Sequence, residues 1–379
     1  MMANSRLVVG VLFGGRSGEH EVSLNSARSV LAVLDPARYD VLPIGITHTG
    51  EWVVGENVLE DLSAGNISGL RRVTLLPAAG DCQLYAIDGG KLTSIAHLDV
   101  IFPVLHGTFG EDGTMQGLLE LADVAYVGAG VLGSAVGMDK ALFKDVMNTR
   151  GIPVLESAVF SRSQLQQDLP AVMARCEQVA PYPLFVKPAN LGSSVGITKC
   201  RSHSDLLEGL MEAARYDRRI LVERGISARE IEVSVLGNDQ PRASIPGEIR
   251  PSDDFYTYRA KYIDNQSELI IPARLSEAQA AEVMDLAVRT YSAIDCAGMA
   301  RVDFLVDKET GKVFVNEINT IPGFTQISMY PKLWQASGLP YPALVDELIR
   351  LALERKSERD HTERQFDPPE KFERPDGKQ

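Results

Sequence analysis

Asp303, Glu317 and Asn319 are the side chains of this sequence best spaced to do chemistry together. They belong to Arg301-Val-Asp-Phe-Leu-Val-Asp-Lys-Glu-Thr-Gly311-Lys-Val-Phe-Val-Asn-Glu317-Ile-Asn319. The pattern reads as two strands of alternating polar and apolar residues around a short turn. A three-residue loop, Glu309-Thr310-Gly311, with Gly311 in the left-handed position, would pair residue 308 with 312. Asp303 then falls opposite Glu317, and Arg301 opposite Asn319. Opposed residues share one sheet face, where like charges repel unless something compensates. Two carboxylates and a carboxamide on one face suit Mg²⁺, which keeps its remaining positions for water or substrate phosphates. A solvated strand face with ordinary surface acids would read the same way, so the hairpin by itself leaves both readings open.

Other loops carry polar groups that could serve such a site. Lys187-Pro-Ala-Asn-Leu-Gly192-Ser193-Ser194-Val195-Gly196 has small residues whose amides can approach a phosphate closely. Its lysine precedes the glycines and a strand follows, so it is not a Walker P-loop. A lid between two antiparallel strands, with Lys187 reaching phosphates, fits better; a plain Gly/Ser hairpin turn is the alternative. Glu223-Arg224-Gly225-Ile226 ends an apolar strand and offers a carboxylate and backbone groups to a ribose or base edge, though it is also an ordinary strand end. Gly14-Gly15-Arg16-Ser17-Gly18-Glu19-His20-Glu21 and His106-Gly107-Thr-Phe-Gly110-Glu111-Asp112-Gly113 both follow strands, where α/β folds place ligand loops. Equally, Glu19 and Glu21 could complement a helix dipole, and His106 could be structural. Pro251 to Tyr262 has the look of an ordered, lid-like loop. Gly128-Ala-Gly130-Val-Leu-Gly133 matches G-x-G-x-x-G, but it comes after several strands rather than in a first βα turn. That placement argues against a dinucleotide site.

The elements that must position these loops follow from periodicity. Strands are expected at Leu7 to Phe13, Val41 to Ile46 and Val100 to Val104, and helices near Glu19 to Leu34 and from Gly117. Their alternation predicts an open, mainly parallel α/β sheet. A helix over Asp139 to Thr149 stops at Gly151 and Pro153. Strands at Leu184 to Lys187, Val195 to Lys199 and Ile220 to Glu223, with helices at Ser163 to Val179 and Ser204 to Tyr216, form a middle unit. From Glu354 the composition turns to charge and proline, the signature of a solvated extension.

The chain has 379 residues, 45% hydrophobic and 23% charged, with a net charge of −13. That is an ordinary globular composition long enough for two or three domains, and it gives no global reason to expect a nucleic acid partner. Cys82, Cys176, Cys200 and Cys296 are widely spaced, suiting a reducing compartment and a role in the core. The run Leu7 to Phe13 is too short to span a membrane and lacks a cleavage site after it, so a cytoplasmic location is expected.

In order along the chain, the motifs from Gly14-Gly-Arg-Ser-Gly-Glu19-His-Glu-Val-Ser-Leu through His106-Gly, Gly110-Glu-Asp-Gly, Met138-Asp-Lys140, Lys187-Pro, Gly192-Ser-Ser-Val-Gly, Lys261-Tyr262, Arg301-Val-Asp303 and Asn316-Glu-Ile-Asn319-Thr-Ile-Pro-Gly323-Phe-Thr closely resemble D-alanine–D-alanine ligases. The resemblance runs from about residue 7 to 353. It implies a mixed α/β and α+β architecture, the ATP-grasp fold, with a Rossmann-like N-terminal domain (1–128), a central domain (129–223), a C-terminal domain (224–353) and a charged disordered tail (354–379). It implies ATP as co-substrate with two Mg²⁺ or Mn²⁺ on Asp303, Glu317 and Asn319, and two D-alanine molecules as the other substrates, joined through a D-alanyl phosphate for peptidoglycan synthesis. Lys140, Lys187 and Lys261 would meet the phosphates. Glu223 and Glu230, with the backbone near Arg224 and Ile226, would hold adenine and ribose. Glu19 would pair with the first ammonium, Ser193 and Tyr262 completing a trio that closes the loop, and His106 lies at the same substrate site. Arg301 and the backbone at Gly323 would stabilise the oxyanion, and Ser328 and Met329 would receive the second D-alanine. Many relatives have lysine where this chain has Arg224, a change that matters little for a backbone role. Tyr262 argues against D-lactate as second substrate, while D-serine stays open. A homodimer is implied, with no nucleic acid or membrane partner.

Overall fold

The computed structural model describes residues 6–192, 195–250 and 268–363. Lys261, Tyr262 and Ser193 therefore lie outside the described residues. Three sheets organise the chain. The first has eight strands, in the order Lys91–His97, Gln83–Asp88, Arg71–Leu75, Trp52–Val54, Tyr39–Ile46, Leu7–Gly14, Val100–Pro103, Ala125–Tyr126. Its last four strands pair in parallel. The other four extend the sheet as an antiparallel meander, so it is not mainly parallel as the alternation of elements suggests. The connections decide this. A parallel crossover needs a dozen or more residues, whereas only residues 47–51 separate the second strand from the third. Asp88 and Lys91 pair across Gly89 and Gly90, both at positive φ, the two-residue turn that hairpin twist favours.

The second sheet is wholly antiparallel, in the order Thr198–Cys200, Leu184–Pro188, Arg219–Arg224, Ser157–Ser161. Phe160, Val186 and Val222 pack beneath Val172, Leu206 and Leu210 of its helices. The strand expected at Val195 begins only at Thr198, after Gly196 turns with φ of 70°. The long helix expected over Ser163 to Val179 is two, Arg162–Gln167 and Leu169–Glu177, because Asp168 ends one and caps the next, accepting from Ala171 N.

The third sheet sets Ala228–Gly237 between Gly247–Arg250 and Gly298–Asp307, with Val313–Asn319 at one edge and Glu268–Ile270 at the other. All these pairs are antiparallel. Val302, Phe304 and Val306 point into the core while Arg301, Asp303 and Leu305 alternate to the other face. Helices Val131–Met138 and Lys140–Thr149 pack on this third sheet, since Val136, Phe143 and Met147 share its core with Val233, Val302 and Val315. They thus bridge to the C-terminal sheet rather than belonging to the middle unit.

The final helix runs Tyr341–Asp360, past the point where charge predicted a solvated extension. Leu344, Val345, Leu348 and Ile349 are buried against the first sheet. At about 2 kcal/mol for each buried apolar side chain, they anchor the helix. Its charged end is then used: Arg359 pairs with Glu120 and Asp123, and Lys356 lies 3.3 Å from Asp123. The Gly128–Gly133 segment is an inter-sheet crossing. A Cβ on Gly133 would sit 3.0 Å from the Asp295 carbonyl, so glycine there permits close backbone packing rather than cradling a dinucleotide.

Candidate active site at the junction of the three sheets

Arg301 pairs with Asn319 and Asp303 with Glu317, as the sequence predicts, but the turn differs. Asp307 N donates to Lys312 O, and Gly311 N to Asp307 O, closing a four-residue loop in which Gly311 has φ of 71°. Phe304 consequently faces Val315. The register is restored by a bulge in which Asn316 is the extra residue, which returns Asp303 to Glu317. Bulges re-aim side chains in this way beside active sites.

The strand on the other side completes the face. Glu232 stands directly opposite Asp303, and Ser234 opposite Arg301. Three carboxylates, Glu232, Asp303 and Glu317, therefore lie in one row across three strands. Cations compensate them. Arg301 binds Asp303 with two bonds of 2.7 Å and reaches Glu232 at 3.1 Å, while Lys140 Nζ lies 3.7 Å from Glu317. Asn319 Nδ2 donates to Asp303 at 3.0 Å. Glu232 was invisible in the hairpin alone; the alternation Glu230-Ile231-Glu232 is its only sequence signal. Glu230 shares that face one step along, opposite Leu305.

Lys140 is positioned by its helix start. Asp139 caps the helix through Leu142 N and pairs with Arg219; Lys140 N donates to Ala189 O, and Lys140 Nζ to Leu191 O at 2.6 Å. The lysine is thereby tied to the Gly/Ser loop that follows Pro188. Next to it, Lys187 and Lys144 both pair with the buried Glu223, Lys144 at 2.8 Å. Burial alone would raise the Glu223 pKa, but the two lysines outweigh it and bring it down to about 2. Lys144 is one helical turn beyond Lys140, and its place here was not deduced from the sequence. Arg224 and the half-buried Ile226 lie in the link between the second and third sheets, where Arg224 N donates to Glu156 O and Gly225 N to Pro183 O.

Glu19 starts the helix His20–Leu31 and is nearly buried. Its carboxylate lies over Gly107 and close to Gly192, so loops from the first and second sheets enclose it. Gly107 has φ of 75°, and a side chain there would collide with Glu19. His106 is buried with both ring nitrogens engaged: Nδ1 donates to Ile321 O at 3.0 Å, and Nε2 accepts from Ser26 Oγ at 3.0 Å. Burial pushes its pKa down, favouring the neutral ring. Through these two bonds His106 holds the backbone at Ile321 in place. Ser328 sits at the N-cap position of the helix Met329–Ala336 without a side-chain capping bond, and its hydroxyl instead bonds Thr325 within reach of Gly323. The Met329 side chain is buried against Ile249 and Leu333.

A separate group, His20, Glu21 and His48, brings possible metal ligands within 4.8 Å of one another. Its two imidazoles are instead stacked with centroids 3.7 Å apart, and His20 Nδ1 is engaged with Gly15 O at 2.8 Å.

Two antiparallel sheets that meet around acids and lysines, beside a first sheet that is parallel only in its last four strands, fit the architecture of an ATP-grasp ligase. Family models described as "D-ala D-ala ligase N-terminus" and "D-ala D-ala ligase C-terminus" match residues 8–129 and 146–350. A D-alanine–D-alanine ligase of Natranaerobius thermophilus is 49% identical over 362 residues, covering 95% of this chain and 99% of its own. Among solved structures, the D-alanine–D-alanine ligase of Coxiella burnetii has a TM-score of 0.80 at 40% identity, covering 94% of this chain and 96% of its own. The VanG D-Ala:D-Ser ligase of Enterococcus faecalis has a TM-score of 0.82 at 35% identity, covering 92% and 100%. The chain belongs to the D-alanine–D-alanine ligase family.

Proposed function

We propose that this protein joins two D-alanine molecules with ATP to give D-alanyl-D-alanine for peptidoglycan precursors, through a D-alanyl phosphate. The observation that carries this reading is the row Glu232, Asp303 and Glu317 beside Lys140 and Lys187, in a family of ligases. Asp303, Glu317 and Asn319 fit Mg²⁺ or Mn²⁺ because they are oxygen donors, two of them anionic, on one sheet face. Such ions supply charge neutralisation on transferring phosphates.

The chain's own groups then divide the work. Lys140 and Lys187 bind phosphate oxygens, and Glu223, Glu230 and the Arg224–Ile226 backbone hold the nucleoside. Glu19 orients the first amino acid by its ammonium, so that its carboxylate attacks the γ-phosphate and ADP leaves. The amine of the second D-alanine, deprotonated, attacks the resulting carbonyl and phosphate departs. Arg301 and the Gly323 amide stabilise the oxyanion, an arrangement in which one donor is typically worth about 10²–10³ in rate. The first amides of the helix Met329–Ala336, at Ser328, suit the second carboxylate. Ser193, Tyr262 and Lys261 take the loop-closing and phosphate roles the family resemblance implies, excluding water from the acyl phosphate.

Exposed Leu121, on a helix of the first domain, and Val131 and Leu132, on the neighbouring helix packed on the third sheet, suit the homodimer contact that the family resemblance implies. Among the described residues no helix is long and apolar enough to cross a membrane. The deciding experiment follows ADP release and product mass with D-alanine, L-alanine, D-serine or no amino acid. Dipeptide from D-alanine alone supports the reading; a mixed product with D-serine widens the second site; no D-alanine stimulation overturns it.

A further inference from the structure

Glu111 was read from sequence only as part of a loop. In the structure one oxygen of its carboxylate accepts from Gly107 N at 2.7 Å and the other from Ile321 N at 3.1 Å. Gly107 packs against Glu19. Ile321 begins the segment that leads to Gly323. The Ile321 peptide is gripped again at its carbonyl by His106 Nδ1, and Ser26 Oγ, bonded to His106 Nε2, also accepts from Phe324 N at 3.4 Å. Two short bridges from the first domain, Glu111 on one side and Ser26–His106 on the other, therefore fix a loop of the third domain on both flanks of Gly323.

We propose that Glu111 is a positioning residue: by holding the Gly107 and Ile321 amides with one carboxylate, it keeps the ammonium pocket at Glu19 and the oxyanion donor at Gly323 in a fixed mutual geometry. A carboxylate suits the task because it can accept at both oxygens at once. Glutamine cannot, since its amide nitrogen would face a donor. Aspartate is one methylene shorter and cannot span both amides. Desolvation and the charge of nearby Glu19 push the Glu111 pKa up to about 8, while the Gly107 and Ile321 amides pull against that rise and so favour the ionised form that accepts at both oxygens. Misplacing a reacting group by an ångström typically costs up to about 10²-fold.

The inference rests on Glu19 and Gly323 acting as read above. Its test is steady-state kinetics of the whole enzyme carrying Glu111→Gln, Ser26→Ala, or both. Expected for Glu111→Gln is a roughly tenfold or greater loss of kcat, with KM for ATP within about twofold and a melting temperature only modestly lowered by the unpaired amide. Because both bridges hold one loop, the double variant should lose less than the product of the two single losses. If kcat of Glu111→Gln stays within twofold of the parent, or the two losses simply multiply, the strap is overturned. Should Glu111→Gln fail to fold, Ser26→Ala alone decides: unchanged kcat refutes a loop held from the first domain. A parent enzyme that makes no dipeptide would instead refute the functional reading and leave the geometry of Glu111 as it is.

Discussion

Lys140 Nζ lies 3.7 Å from Glu317 Oε2, although the two residues sit in different elements and are far apart in the chain. The lysine comes from a helix packed on the third sheet, and its ammonium also reaches the Leu191 carbonyl of the Gly/Ser loop. One cation thus touches both the acidic face and the loop that would cover phosphates. Glu317→Gln should lower metal-dependent turnover by orders of magnitude while leaving the fold intact. Titration of activity against Mg²⁺ together with a thermal melt checks both halves; near-normal turnover at modest Mg²⁺ would remove Glu317 from the metal site.

Glu223 gives a pH prediction. Its pKa is depressed to about 2 in the folded protein, against 4.5 for a free glutamate. The stability it contributes is therefore complete above about pH 4.5 and is lost as pH falls through the folded value. At about 1.4 kcal/mol per pH unit, that is worth roughly 3 kcal/mol. Glu223→Gln should melt well below the parent at pH 7, because Lys144 and Lys187 lose their counter-charge. The gap should narrow steadily between pH 4.5 and 2, since acid removes the same charge from the parent. A gap that does not change with pH would mean the buried triad is not what the substitution breaks.

Gly107 is constrained twice, by φ of 75° and by the Glu19 carboxylate over its Cα. Gly107→Ala should cost about 1–3 kcal/mol of backbone strain and displace Glu19. The expected kinetic outcome is a rise in KM for D-alanine larger than any change in KM for ATP. Equal effects on the two substrates would show that Glu19 is not the amino acid anchor.

Much of the site was legible because its chemistry is local. The alternation around Gly311 places Asp303 opposite Glu317 and Arg301 opposite Asn319, and the structure pairs them so. The agreement hides a compensation: the loop is one residue longer than assumed, and the bulge at Asn316 absorbs it. Alternation reports which face a residue takes but not where a ladder slips, because a bulge shifts the count without altering composition. The end of the chain misled for a different reason. Residues 354–360 carry the charge of a solvated segment, yet Arg359 and Lys356 meet Glu120 and Asp123. Composition cannot reveal a counter-charge from another domain.

By itself the sequence determined the family, the identity of the acids, lysines and glycines, and the strands and helices that bear them, since these follow from short-range pattern and residue chemistry. Only the tertiary structure decided that Glu232 joins the acidic row, that Lys144 shares Glu223 with Lys187, that His106 holds backbone, and that Glu111 spans two domains. Each of these depends on strand order or domain contact. Those are set by packing between segments tens to hundreds of residues apart, and no local period encodes them.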